Sequence, residues 1–127
     1  MEHDTNAYLY DIIQSCQNIR KFTASIDFQT YEADLLIKSA VERQFIIIGE
    51  ALNRINRFDP VMYNHIPHAE RIIGFRNIIV HGYDIVSDQL VWQIVQSHLS
   101  ESIFRTLCPG VMRVFRECPQ AKLGPTI

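Results

Sequence analysis

Val41, Phe45, Ile48, Leu52 and Ile55 recur every three or four residues, with Glu42, Arg43, Asn53, Arg54 and Arg57 on the other side. At 100° per residue such spacing gathers the apolar side chains onto one face of a helix. A seam of this length must be covered by other helices, so it dictates a helix-on-helix core. The rest of the chain offers partners with the same period. Asp4 or Thr5 can cap a first helix running to about Arg20–Phe22, with Leu9, Ile12, Ile13, Cys16 and Ile19 on one side. Thr23-Ala24-Ser25-Ile26-Asp27 breaks it. The seam helix is then expected from about Tyr31 to Asn56, after a short turn, and Asp59-Pro60 stops it. Residues 60–69, punctuated by Pro60 and Pro67, read as loop.

A short third helix is expected from about Glu70 to His81, because glycine, here Gly82, is the commonest residue just past a helix end. Tyr83 to Val86 reads as an extended link. Ser87 then caps a fourth helix, about Asp88 to Thr106, with Leu90, Val91, Ile94, Val95, Leu99 and Ile103 facing inward. Pro109-Gly110 ends it, Val111 to Glu117 is expected as a short fifth helix, and a loose tail follows from about residue 118. No segment alternates at period 2. The expected fold is all-α, one domain over residues 1–127, an up-and-down bundle of four to five helices.

Composition narrows the function classes. A net charge of −2 is unlike a protein that holds duplex nucleic acid by phosphate neutralisation alone, so any such contact must be local and built on a few arginines. Cys16, Cys108 and Cys118 are an odd number without close pairing, as expected of reduced thiols in the cytoplasm. The first residues are polar, with no apolar core of a secretory signal. The longest apolar run, Phe45 to Ile48, is far too short for a membrane span.

The chemistry gathers at the end of the third helix, in Arg76-Asn77-Ile78-Ile79-Val80-His81-Gly82-Tyr83. On an ideal helix Asn77 and His81 share a polar face with Gly74, whereas Arg76 falls in an arc between Ile72 and Val80. A guanidinium among branched aliphatics is costly unless something pairs with it. Its planar fork suits phosphate oxygens, and histidine titrates near neutrality and can move protons. The negative end of a helix favours a cation at His81. RNA can be cut without metal by such a set. Arg76 and His81 are about 140° apart around the axis and about 7.5 Å apart along it. One phosphate therefore meets both only if the last turn unwinds or a second copy contributes. Taken singly, each residue also has a plain structural role: His81 as a helix-end cation, Arg76 in an ion pair, Tyr83 as a core ring. Glu50 either pairs on the surface with Arg54 one turn on or holds Arg76 or its mate in place. His65-Ile66-Pro67-His68 is no metal site, because the proline keeps both histidines off one helix face.

Arg76, His81 and Tyr83 in Arg-x4-His-x-Tyr resemble the signature of the HEPN superfamily of small helical proteins. Asn77 beside the arginine, the Ile47-Ile48-Gly49-Glu50-Ala51 run, and the Ile66-Pro67 through Ile72-Ile73-Gly74 approach are similar to its HepT-like branch. The resemblance covers about Asp4 to Arg105. It implies a metal-independent endoribonuclease with no cofactor, the toxin of a type VII-like toxin–antitoxin module. Arg76 would hold the phosphate and His81 would transfer protons, with Asn77 and Glu50 supporting, in a homodimer or higher even oligomer. It also implies a partner: a small nucleotidyltransferase antitoxin that adenylylates Tyr83. Other HEPN domains imply a different class, a non-catalytic helical partner that binds nucleotides or docks onto a nucleotidyltransferase. A general helical scaffold would use the Val41-to-Ile55 seam equally well.

Overall fold

The computed structural model describes residues 4–82 and 86–96. Six helices occur there: α1 (Thr5–Thr23), α2 (Phe28–Ala33), α3 (Leu35–Phe58), α4 (Pro60–Tyr63), α5 (Ala69–His81) and α6 (Asp88–Ile94). Helix α3 is the spine, with α1 and α5 laid along it. Its predicted seam is buried throughout: Val41, Phe45, Ile48, Leu52 and Ile55 are all at most 1% exposed. Leu9, Ile12, Ile13, Cys16 and Ile19 of α1 meet it, again as their spacing predicts. Asn18 Nδ2 donates to Gln44 Oε1 at 3.2 Å and ties the two helices beside the core. Phe45 and Phe75 meet edge to face, ring centroids 5.0 Å apart, and set the α3–α5 contact.

Aspartates punctuate the chain. Asp4 accepts the Asn6 N–H at 2.9 Å and starts α1. Asp27 accepts the Thr30 N–H and starts α2. Asp34 is extended, at φ −108° and ψ 99°, and its carboxylate accepts the Ile37 N–H at 3.2 Å. That cap splits the expected Tyr31–Asn56 helix into α2 and α3, and Tyr31 belongs to the shorter piece. An N-cap bond of this kind is worth about 1 kcal/mol, enough to compete with an unbroken helix. Asp59 does the same for α4, accepting the Met62 N–H, with Pro60 in the first turn where its missing N–H costs nothing. A helical turn thus replaces part of the expected 60–69 loop. Asp59 also accepts from Thr5 Oγ1 at 2.9 Å, joining the start of α1 to the end of α3.

Ser87 caps α6 as expected, accepting the Leu90 N–H. Val91 and Val95 are buried, but Leu90 is 40% exposed rather than inward. It lies about 100° around the axis from Val91, outside the stripe that one short helix can bury. Lys38 pairs with Asp88 at 3.3 Å, and Tyr31 and Trp92 rings lie 5.4 Å apart, so α6 is fastened to α2 and α3. Burial raises the Tyr31 phenol far above its ordinary range. No described helix is long and apolar enough to cross a membrane. Expectations for Tyr83–Ile85, for the fourth helix beyond Gln96, and for the fifth helix and tail lie outside the described residues.

Candidate active site

Helix α5 is regular to its end. His81 is its last residue, and the Gly82 N–H donates to the Ile78 carbonyl at 2.8 Å. The last turn is therefore wound, and the ideal-helix divergence of Arg76 and His81 stands. Ile72, Phe75 and Ile79 face the core. Gly74, Asn77 and His81 lie on the exposed side, with Ile78 and Val80 each 39% exposed beside them. Among the described residues a Cβ added at Gly74 would meet nothing within 4 Å, so none of them covers this face.

Arg76 turns the other way, toward α3. Its Nη2 donates to Glu50 Oε1 at 3.4 Å and its Nη1 to Asn77 Oδ1 at 2.9 Å. Of the two readings of Glu50, the tertiary one is realised: the carboxylate reaches Arg76, 26 residues away, while Arg54 lies over the Tyr8 ring at 5.9 Å. The Arg76 and Glu50 side chains are 20% and 46% exposed, so solvent screening keeps the pair below about 1 kcal/mol. Its value is orientation. Arg76 Nε is buried and has no hydrogen-bond partner among the described residues.

The arginine reaches this position because residue 49 has no side chain. A Cβ built on Gly49 would lie 2.5 Å from both Cβ and Cγ of Arg76. Gly49 is buried in mid-helix, where glycine costs up to about 1 kcal/mol relative to alanine. Here the cost purchases contact between the α3 backbone and the arginine stem. Sequence alone marks Gly49 only as part of a family-like run. The signal at Gly49 is a glycine inside an otherwise strong helix, a costly choice that calls for a packing reason.

The structure thus joins Arg76, Asn77 and Glu50, and places His81 on the neighbouring exposed face of the same helix. Tyr83 lies outside the described residues. His65 Nδ1 donates to the Val61 carbonyl at 2.7 Å, and His68 sits at φ 60° just before α5. Among the described residues no three His, Cys, Asp or Glu side chains converge as metal ligands would.

An all-helical bundle that presents Arg-x4-His on the final turns of one exposed helix has the frame of a HEPN domain. Residues 12–105 match the family described as "Ribonuclease HepT-like", and the chain belongs to it. Its relatives include a candidate RNase of Methanocaldococcus jannaschii, MJ1380, 36% identical over 95 residues, covering 75% of this chain and 86% of the relative. A second from that organism, MJ0125, is 33% identical over 100 residues, 79% of this chain and 85% of the relative. A bacterial candidate RNase, TTE0752 of Caldanaerobacter subterraneus subsp. tengcongensis, is 27% identical over 94 residues, 74% and 83% of the two chains. No solved structure shows a significant match.

Proposed function

We propose that this protein is a metal-independent RNA endonuclease, with Arg76 on the scissile phosphate and His81 in proton transfer. The observation that carries the reading is a guanidinium fixed between Glu50 and Asn77 on a regular helix that ends at an exposed His81. The 2′-oxygen attacks phosphorus and gives its proton to His81. The 5′-oxygen leaves and takes a proton from the partner subunit's His81. Arg76 steadies the charge on the non-bridging oxygens. Two copies are required because Arg76 and His81 diverge on an unbroken helix. The open face of Gly74, Ile78 and Val80 suits a second copy crossing there. RNA incubated with the protein in EDTA is expected to be cut, leaving 2′,3′-cyclic phosphate or 3′-phosphate ends. Products ending in 3′-hydroxyl would assign the chemistry to a metal-activated water instead.

In this reading the enzyme is the toxin of a two-gene module, and Tyr83 is its off switch. Gly82 follows the helix directly, so Tyr83 stands two residues from His81 in sequence. Its phenol oxygen would attack the α-phosphorus of ATP, with pyrophosphate leaving and AMP retained. The added charge and bulk would repel an RNA phosphate drawn by Arg76. When the protein is mixed with a neighbouring-gene nucleotidyltransferase and ATP, mass spectrometry is expected to find AMP on the Tyr83 peptide and RNA cleavage to stop. Neutralisation that leaves Tyr83 bare would assign inhibition to binding alone, the role of a docking partner.

A further inference from the structure

Arginine can grip a phosphate with two forks: side-on, through Nε and Nη2, or end-on, through Nη1 and Nη2. Arg76 Nε is buried, so the side-on fork is closed. At the end-on fork, Nη1 carries the neutral Asn77 carbonyl and Nη2 carries the Glu50 carboxylate. Each terminal nitrogen has a second hydrogen, and the Asn77 contact can be shared with an anion. The Glu50 charge cannot be shared in this way. A phosphate arriving at Nη2 meets a negative charge 3.4 Å from that nitrogen.

Glu50 is one of three groups that hold Arg76, and the other two remain when its carboxylate leaves. The stem of the arginine already lies against the bare backbone at Gly49, and Asn77 holds Nη1 at 2.9 Å. The Glu50 contact is the longer of the two and its side chain the more exposed of the ion pair, at 46%. Such a carboxylate can swing into solvent.

We propose that Glu50 is an intramolecular stand-in for the RNA phosphate, a gate that must leave Arg76 before substrate is engaged. The inference rests on Arg76 being the phosphate-binding residue. Glu50 therefore sets how strongly the site attracts a phosphodiester, and it keeps a lone arginine neutralised between substrates.

Binding of a fluorescent, fully 2′-O-methylated RNA oligonucleotide, which cannot be cut by 2′-oxygen attack, tests this without catalysis. Glu50→Gln keeps shape and a hydrogen-bond acceptor but removes the charge. It is expected to tighten binding at least about threefold at low salt, with the gain fading as salt rises. Glu50→Ala should move affinity the same way, and the gain should vanish in an Arg76→Ala background. Unchanged or weaker binding by Glu50→Gln, or a gain that persists without Arg76, overturns the gate. Weaker binding by Glu50→Ala alongside unchanged Glu50→Gln would make the residue a simple prop. Wild-type cleavage of ordinary RNA is scored separately. Its absence would overturn the nuclease reading and leave the binding result to stand.

Discussion

His81→Ala is expected to lower RNA cleavage by about two to four orders of magnitude, the usual worth of a positioned acid–base group. The melting temperature should stay close to wild type. His81 is exposed, and the Gly82 N–H that closes the helix bonds to the Ile78 carbonyl rather than to the imidazole. Surface changes of this kind rarely move stability by more than about 0.5 kcal/mol. A lost activity with an intact melt therefore belongs to chemistry and not to folding. The same variant tests the divided site. If both His81 side chains of a dimer serve one phosphate, mixing His81→Ala into wild-type protein forms dimers with a single His81. Such mixtures are expected to cleave less than their wild-type share alone would give. Activity that simply tracks the wild-type share after subunit exchange, or a cleaving monomer by sedimentation, would put the whole site within one chain.

Gly49→Ala is expected to damage both stability and activity, although alanine is the better helix former. The new Cβ would lie 2.5 Å from Cβ and Cγ of Arg76. The Cβ cannot rotate away, so α3 and α5 must part or the arginine must shift. Overpacking of this kind costs about 1–3 kcal/mol, and the propensity gain returns at most about 1 kcal/mol. The functional loss should be larger, because a misplacement of about 1 Å in a positioning group can cost roughly a hundredfold in rate. Calorimetry with initial-rate kinetics on one preparation separates the two effects. Gly74→Ala is the control for stability alone: among the described residues its Cβ meets nothing within 4 Å, and the folded chain should gain up to about 1 kcal/mol. Full activity in Gly49→Ala would show that Arg76 does not depend on the α3 backbone.

The fold was largely legible because burial follows a local rhythm. Val41 to Ile55 and Leu9 to Ile19 declare their inward faces within a turn or two, and both are buried accordingly. Ser87 and Asp4 announce helix starts because a cap needs only a short polar side chain and an N–H two or three residues on. Where two local signals compete, the rhythm misleads. Asp34 sits inside a helical pattern and caps instead, dividing α2 from α3. Leu90 is apolar at an allowed spacing, yet its direction is decided by which side of α6 meets α2 and α3.

The candidate site divides along the same line. Sequence alone determined that Arg76 and Asn77 adjoin, that His81 ends its helix, and that Arg76 falls on an apolar arc requiring a partner. Those are consequences of 100° per residue and of the helix-ending glycine. Only the tertiary structure decided what the partner is. Glu50 lies 26 positions from Arg76 and had Arg54 as an equally good local mate. It meets Arg76 because Gly49 lets α5 settle against the α3 backbone. Periodicity shows which face of each helix is buried. Which residues of two buried faces touch depends on how closely and in what register the helices pack, and a missing side chain sets that here.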